Sequence, residues 1–379
     1  MSGTASGSGI SSSYASSAIS SRNQERRGSS LSPPSMRREE RTTQFLCECG
    51  KRTGGGSYHR AANARTTITH RYLVQNITCC KDRCVEWLWE RGLVAKEREC
   101  SVCGSAMKLS RVGKSISSDG WMWRCQCHAP SKHSCKVSLR HGSWFSQYNL
   151  TLEEILEHCS FWVHAYSGTQ IEHELGVSST TWVDWNNFCR EVCEAAIMGD
   201  HFEKIGGEGK VVEIDESKFA KRKYHRGHRV HLDWVFGGIE RGEDGRCFMV
   251  PVPDRSSETL VGLIKRYVSP GTTIYSDCWK ACDRLGCEGY NHLTVNHSLH
   301  FKDPDTGVHT NTIEGAWQKA KHGVHIPRFG VKNSHLNGYL ATYIWRQKHK
   351  NGDLLVDFLD ELKAQFGGRC KMANCKHCS

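Results

Sequence analysis

Three acidic residues lie where the sequence predicts that strands end or a helix begins. Asp215 lies at the end of the β-rich run "VVEIDES", and Asp277 ends the strand pattern "GTTIYSD". Glu314 lies near the start of the helix pattern "HTNTIEGAWQKAKHG". If the two strands are neighbours, both aspartates leave the sheet at the same edge, and the later helix can bring Glu314 into the same pocket.

Three converging carboxylates repel one another unless a cation joins them. Carboxylate oxygens are hard ligands that select Mg²⁺ or Mn²⁺, and two such ions can clamp both sides of an in-line displacement at phosphorus. The sequence therefore predicts a two-ion site formed by Asp215, Asp277 and Glu314. A second interpretation of Glu314 remains open, because Asn311 and Glu314 have the N-cap and N3 spacing of a helix cap.

The elements that would position these acids follow one another from about residue 207. The first strand, "HRVHLDWVFGGIE" with its alternating apolar residues, and "RCFMVPVPD" predict an antiparallel meander. A helix in "SSETLVGLIKRYV", a fourth strand and a fifth strand in "YNHLTVNHS" come before the Glu314 helix. This order predicts an α/β fold with a mixed sheet. Alternation puts Glu213 on the same face as Asp215 and Glu216 on the opposite face, and we interpret both as solvated strand acids, with a role in supporting the three acids as the alternative.

A second group of candidate ligands precedes this region. The chain has 20 cysteines, a density that in a reducing compartment favours metal ligands over disulfides. A CxxC knuckle in "CSVCGSAMKL", followed by the cysteines of "WRCQCHAPSKHSC", predicts a structural zinc ribbon. The predicted Zn²⁺ ligands are Cys100, Cys103, Cys125 and Cys135, with Cys127, His128 and His133 as alternatives for the fourth position.

Two stretches have features of DNA contacts. After a capping box at Thr151, the segment "TQIEHELGVSSTTWVDWNNFCREVCEAAI" predicts a helix-turn-helix, although a plain helical hairpin fits the same pattern. The basic hairpin "SKFAKRKYHRGHR" follows the first strand and favours phosphate contact, with a solvated turn or a nuclear signal as alternatives. The candidate DNA-binding residues are Ser179, Thr180 and Asn186 on the second helix, and Lys218, Lys221, Arg222, Lys223, Arg226 and Arg229 in the hairpin.

Composition limits the class of protein. The chain has 379 residues and a formal charge of +11, which is compatible with an anionic partner. It has no apolar run of about 20 residues and no signal-peptide pattern, so we expect a soluble, intracellular protein. Two further cysteine clusters, at residues 47–84 and 370–378, leave metal binding open.

The predicted divisions are a disordered basic tail (1–43), a helical Cys-containing region (44–95), the zinc ribbon (96–145), the helix-turn-helix (146–200), the catalytic domain (205–350) and a C-terminal helix with a Cys-rich tail (351–379).

An ordered series of motifs is similar to the Merlin superfamily of DDE transposases and their bacterial insertion-sequence relatives. The motifs are "VVEIDES", "DRSSETL", "TTIYSDCWKA", "VNHS", "HTNTIEGAWQKAK" and "YLATYIWRQ", and the resemblance covers roughly residues 80–350. It implies an RNase H-like catalytic core. Asp215 and Asp277 match the two metal-binding aspartates of the family, and Glu314 matches its third acid.

The resemblance implies a cut-and-paste transposase. Such an enzyme would bind terminal inverted repeats, hydrolyse a phosphodiester bond with the help of Mg²⁺ or Mn²⁺, and join the freed 3′-hydroxyl to target DNA. The expected partner is double-stranded DNA, the expected assembly a homodimer or higher oligomer, and the expected location the nucleus. Two alternatives remain: a domesticated DNA-binding protein without catalysis, and an RNase H-like nuclease that does not join ends.

Overall fold

The computed structural model describes most of the chain from residue 67 onward. The predicted N-terminal basic tail and the cysteines at 370–378 lie outside the described residues. Among the described helices, none is both long and apolar enough to cross a membrane. The described residues are 67–113, 115–127, 133–146, 150–198, 202–219, 233–277, 285–296, 302–323 and 333–367.

Two short helices and a three-stranded antiparallel sheet come first. The helices are α1 (His70–Asn76) and α2 (Lys81–Glu90). The strands are β1 (Lys108–Arg111), β2 (Trp121–Cys127) and β3 (His133–Ser138), with β2 in the middle. The residues that these strands turn inward, together with the knuckle before β1, form a small core of their own.

Three helices follow, α3 (Leu152–Val163), α4 (Gly168–Leu175) and α5 (Ser179–Met198). The predicted capping box opens α3, because the Thr151 hydroxyl accepts a hydrogen bond from an amide of the first turn. Helix α4 ends at Gly176, whose φ of 64° lies in the left-handed region that glycine enters without strain. The helix, turn and second helix therefore have the predicted local shape.

The larger part of the chain forms a five-stranded mixed sheet, which confirms the predicted α/β class. The strands of this part are β4 (Ile205–Gly206), β5 (Val211–Phe219), β6 (Asp233–Glu240), β7 (Cys247–Val252), β8 (Val268–Ser269), β9 (Thr273–Asp277) and β10 (Asn291–Val295). The order in the sheet is β10–β9–β5–β6–β7, in which β6 runs antiparallel to both neighbours and β5, β9 and β10 run parallel. A separate pair, β4 and β8, is also parallel.

Helices cover both faces of this sheet. The helices are α6 (Ser257–Tyr267), α7 (Asn311–Gly323), α8 (Asn333–Lys348) and α9 (Leu354–Phe366). Helix α6 closes a core on one face with apolar residues of β5, β6 and β7. Helices α7 and α8 lie on the other face, where the core continues into α3, α5 and α9. The sheet thus has an apolar layer on each side, and a charged group buried in either layer requires compensating partners.

Candidate functional site

The structure pairs the strands that carry the two predicted aspartates. Strands β5 and β9 are parallel neighbours, with Glu213 opposite Tyr275 in the ladder. Asp215 and Asp277 each lie two residues further along, so they occupy the same level of adjacent parallel strands. Asp277 ends β9, but β5 continues to Phe219, so the prediction that Asp215 lies at the end of its strand is wrong. Both side chains are partly buried. Neighbouring strands thus hold two of the three acids side by side at the level where β9 ends.

Helix α7 lies over the face of β5 that carries Asp215. The indole Nε1 of Trp317 donates a hydrogen bond to Asp215 Oδ2 at 3.1 Å. Trp317 is buried, and its ring meets Phe219 edge-on with centroids 5.8 Å apart. The helix that contains Glu314 is therefore fastened directly to the strand that contains Asp215.

A glycine makes this close approach possible. Gly237 lies directly across from Asp215 in the β5–β6 ladder. A Cβ atom added at Gly237 would come within 2.6 Å of the Trp317 ring, a distance that requires the indole to move. The glycine is needed here for the space that the indole fills, a requirement that the strand pattern alone does not reveal.

The electrostatics of Asp215 show that the three acids influence one another. Burial raises the pKa of Asp215 to about 6, and the charges of Asp277 and Glu314 add to this rise in pKa. Hydrogen bonds from the Glu216 amide and from the Trp317 indole oppose it. Asp215 is thus an acid whose ionised form the neighbouring carboxylates disfavour and a cation would favour.

Glu314 does not supply the helix cap that its spacing suggested. Helix α7 begins at Asn311, so Glu314 is its fourth residue. The amides of Thr312 and Ile313, which open the helix, donate to Glu213 Oε2 at 2.8 and 3.0 Å. A carboxylate from β5 therefore caps the helix, and Glu314 is left partly exposed, with Thr310 Oγ1 at 3.5 Å from its Oε1.

The interpretation of both neighbouring acids as solvated is wrong for Glu213, whereas Glu216 keeps part of its surface exposed. Glu213 is 0% exposed and is satisfied by donors from α7 and by Arg241 Nε at 2.7 Å. Glu216 is partly buried, and burial raises its pKa to about 7, with further contributions from Asp215 and Asp277. Alternation assigned the faces correctly. It could not show that a helix would cover one of them.

The donor set of the three acids fits Mg²⁺ or Mn²⁺, which prefer carboxylate oxygens. Burial, with smaller contributions from the charges of Asp277 and Glu314, opposes ionisation of Asp215, and a bound cation would favour it. At least one pair of the three acids is farther apart than 4.8 Å, because the described residues contain only one group of potential ligands tighter than that, and it is not this one.

The described residues contain one group of potential metal ligands that lie within 4.8 Å of one another, and it is in the region of the three-stranded sheet. Ligand atoms of Cys100, Cys103, Cys125 and His133 all lie within 4.8 Å of one another. The Sγ atoms of Cys103 and Cys125 are 3.7 Å apart, and His133 Nε2 lies 3.3 Å from Cys100 Sγ and 3.6 Å from Cys125 Sγ. A tetrahedral Zn²⁺ with bonds of about 2.3 Å to sulfur and about 2.1 Å to nitrogen requires separations of this size.

The predicted fourth ligand, Cys135, is not part of this group, and His133 occupies that position. Cys135 lies directly opposite Cys125 in the β2–β3 ladder and packs at the edge of the small core around Trp123. Burial raises the pKa of the Cys135 thiol, and the nearby Cys100 raises it further. The imidazole of His133, two residues earlier on the same face, brings its Nε2 to 3.3 Å from Cys100 Sγ and completes the group, whereas the Cys135 thiol lies near Cys100 without being one of the four.

Thiol electrostatics agree with a cation among these residues. A hydrogen bond from the Val102 amide is the largest of the effects that lower the pKa of Cys100 to about 6. Burial and the neighbouring Cys103 and Cys100 raise the pKa of Cys125 to about 12. Without a metal these pKa values favour a thiolate at Cys100 and oppose one at Cys125, a conflict that a bound Zn²⁺ removes.

The candidate DNA-contact residues of α5 divide into two sets. Ser179 and Thr180 are exposed at the start of the helix. Asn186 is only partly exposed, and its Oδ1 accepts a hydrogen bond from Nε2 of the buried His158 at 3.1 Å. The prediction that Asn186 faces outward is therefore only partly met, because its side chain links α5 to α3.

Of the six basic residues in the predicted hairpin, the structure describes Lys218 alone. Its Nζ lies 4.5 Å from the centroid of the Trp234 ring, and the guanidinium of Arg255 lies 4.0 Å from the same ring. The other five lie outside the described residues, namely Lys221, Arg222, Lys223, Arg226 and Arg229.

The part of the chain that contains the three acids is similar to a known family of protein domains. Residues 203–348 match the family model described as the ISXO2-like transposase domain. This segment is similar to transposases. It contains Asp215, Asp277 and Glu314, and it ends at the last residue of α8.

Two individual proteins are also similar. A Haemophilus influenzae protein named "Uncharacterized transposase-like protein" is 29% identical over 118 residues, which is 31% of this chain and 93% of that protein. A crystal structure of a pre-cleavage Mos1 transpososome is 12% identical, with a TM-score of 0.20, and the alignment covers 63% of this chain and 83% of that one. A TM-score of 0.20 supports no conclusion about the fold.

Proposed function

We propose that the protein is a DDE-type DNA transposase of the Merlin type. Asp215, Asp277 and Glu314 are its proposed catalytic acids, which hold two Mg²⁺ or Mn²⁺ ions. The observation that carries the proposal is the placement of Asp215 and Asp277 at one level of adjacent parallel strands, with α7 fastened to the same strand by Trp317. The match of residues 203–348 to a transposase domain supports it.

The topology of the large sheet supports an RNase H-like core for this domain. Three antiparallel strands, a helix, and two further parallel strands added beside the first produce the order β10–β9–β5–β6–β7. In this arrangement β5 and β9 are neighbours, which is the condition for Asp215 and Asp277 to act together.

The protein's own side chains would bind the ions and position the reacting groups. When bound, the ions would activate water or a 3′-hydroxyl and stabilise the charge that develops at phosphorus. Asp215, held by Trp317, provides a fixed carboxylate, while Asp277 and Glu314 enclose the same space from β9 and α7. Because no covalent nucleophile is required, catalysis would rest on geometry and charge neutralisation.

The other parts of the chain would bind DNA or stabilise the fold. Cys100, Cys103, Cys125 and His133 would bind a structural Zn²⁺ in a ribbon. The helices α4 and α5, with Ser179 and Thr180 at the exposed start of α5, would contact the terminal inverted repeats. Lys218 and the other five basic residues of the hairpin would contact the phosphate backbone beside the acids. A dimer or larger assembly acting in the nucleus completes the proposal.

A strand-joining assay tests this function. Purified protein is incubated with Mg²⁺, a target plasmid, and a duplex that carries the inverted repeats flanking the coding region. We expect cleavage at the repeat end and covalent joining of its 3′-end to the target. Cleavage without joining would indicate the nuclease alternative, and binding without either would indicate the DNA-binding alternative. Either result would contradict the proposal.

A further inference from the structure

Glu213 is a buried carboxylate that the two-ion chemistry does not itself require. It is 0% exposed, and it lies on β5 two residues before Asp215 and on the same face. Burying an ionised carboxylate is unfavourable unless hydrogen bonds and an opposite charge compensate for it. The partners of Glu213 therefore indicate why the chain retains an acid at this position.

Its donors come from the first turn of α7, about a hundred residues later in the chain. Oε2 accepts the amides of Thr312 and Ile313 at 2.8 and 3.0 Å, and Oε1 accepts the Thr312 hydroxyl at 2.8 Å. These two residues immediately precede Glu314. A negative charge at this position also compensates the positive end of the helix dipole.

The charge of Glu213 is balanced by an arginine that reaches the third element. Arg241 Nε donates to Glu213 Oε1 at 2.7 Å, and its guanidinium lies 5.1 Å from the centroid of the Tyr275 ring. Tyr275 is the residue of β9 opposite Glu213, two residues before Asp277. One buried ion pair therefore contacts the elements that carry all three acids.

We infer that Glu213 is a positioning residue, which fixes Glu314 relative to Asp215 and Asp277. This inference rests on the proposed function of the three acids. Trp317 fastens α7 at one point, one helical turn after Glu314, and Glu213 fastens it at the residues just before Glu314. Two attachments on either side of Glu314 hold its carboxylate in place. A helix held at one point could pivot.

Metal binding and kinetics of Glu213→Gln test this inference. Glutamine keeps the size of the side chain but removes the charge and replaces one acceptor oxygen with an NH₂ group. We expect Mn²⁺ affinity, followed by the electron paramagnetic resonance signal of free Mn²⁺, to fall about tenfold, as when residues that orient metal ligands are changed. In strand joining, kcat should fall about tenfold or more, while KM for DNA stays within about twofold.

Glu240→Gln is the matched control. Glu240 is also a buried glutamate of the same sheet, 5% exposed, and its ion pairs are with Lys210 and Arg246, whereas the partners of Glu213 include the start of α7. Its substitution removes an equivalent buried charge, and should leave Mn²⁺ affinity within about twofold of wild type. A folded Glu213→Gln protein with wild-type Mn²⁺ affinity and kcat would overturn the inference.

Thr312→Val keeps the test decisive if Glu213→Gln does not fold. Thr312 is exposed to solvent, and this change removes only its hydroxyl, which donates a hydrogen bond to Glu213. Loss of one hydrogen bond to a charged group should lower Mn²⁺ affinity about threefold, and an unchanged affinity would contradict the role of Glu213. If the wild-type protein binds Mn²⁺ but does not cut DNA, that result contradicts the proposed function alone. The Mn²⁺ affinities of wild type and variants would then still test whether Glu213 positions Glu314.

Discussion

At the scale of single residues, burial and like charges act against the ionised form of Asp215, while two hydrogen bonds favour it. It is surrounded by protein, close to two other carboxylates, and held by an indole and an amide that favour its ionised form. Burial and like charge prevail over the two hydrogen bonds, so the net effect is a raised pKa. A group of this kind should bind a cation in competition with a proton.

This competition predicts a pH dependence of metal binding. Since the metal-free pKa of Asp215 is about 6, this carboxyl is mostly ionised at neutral pH and mostly protonated one pH unit below its pKa. Affinity for Mn²⁺ should therefore fall about tenfold between about pH 7 and pH 5, measured by isothermal titration calorimetry. Asp215→Asn should bind weakly with little change over this range. A wild-type affinity that does not change with pH would contradict the raised pKa.

The Cys/His group makes a second prediction for single residues. His133→Ala removes a ligand atom that lies 3.3 Å from Cys100 Sγ, so the purified protein should lose most of its bound zinc. Cys135→Ser changes a neighbouring thiol outside the group and should retain one zinc per chain, measured by inductively coupled plasma mass spectrometry. Zinc lost from the serine variant and kept by the alanine variant would restore Cys135 as the fourth ligand.

At the level of elements, the contact between α7 and the β5–β6 ladder determines how close Glu314 comes to the sheet. The Trp317 indole fits against Gly237 and bonds to Asp215, so helix and strands share one fixed spacing. A side chain at position 237 would push the helix away from the acids. The packing of the helix and the geometry of the site therefore depend on the same glycine.

Gly237→Ala tests this dependence. The added methyl group would lie 2.6 Å from the indole, so we expect a loss of about 1–3 kcal/mol in the free energy of unfolding and a fall in strand joining of at least tenfold. Gly262→Ala is the control, because its Cβ on helix α6 would meet nothing within 4 Å. That change should leave joining intact and stabilise the protein slightly. Equal behaviour of the two variants in urea unfolding and joining would rule out the packing role of Gly237.

Helices α3 and α5 are joined by the hydrogen bond from His158 to Asn186, and the burial of His158 makes stability depend on pH. Burial lowers the pKa of His158 to about 4, from 6.5 for an unperturbed imidazole. The unfolded state takes up a proton in this window and the folded state does not, so stability is complete above 6.5 and falls toward 4. Between about pH 7 and pH 5 the loss should be about 2 kcal/mol.

Urea unfolding of wild type and His158→Gln at the two pH values measures this contribution. The glutamine variant lacks the titrating group, so its stability should change by about 2 kcal/mol less than that of wild type over the same window. The difference between the two proteins isolates His158 from other titrating groups, including Asp215, which acts in the opposite direction. An identical pH dependence in both proteins would contradict a neutral, buried His158.

For the whole molecule, the sequence predicted the strands, the mixed sheet and the elements that carry the three acids. Alternating apolar residues identify strands, because this signal is local. The end of the first strand was predicted too early, since β5 continues from Asp215 to Phe219. What the sequence could not show depends on contacts distant in the chain. Glu213 appeared to be a solvated strand acid because the amides that it caps lie about a hundred residues later. His133 was an alternative only, because ligand choice depends on reach within a folded hairpin.

The most direct measurement of the central claim is strand joining by four single variants assayed in parallel. Asp215→Asn, Asp277→Asn and Glu314→Gln each remove one proposed metal-binding charge, and Glu258→Gln removes an exposed acid at the start of α6. We predict that each of the first three reduces joining at least about a thousandfold while keeping DNA binding, and that Glu258→Gln remains at wild-type level. Wild-type joining by any one of the three would contradict a catalytic site formed by these acids.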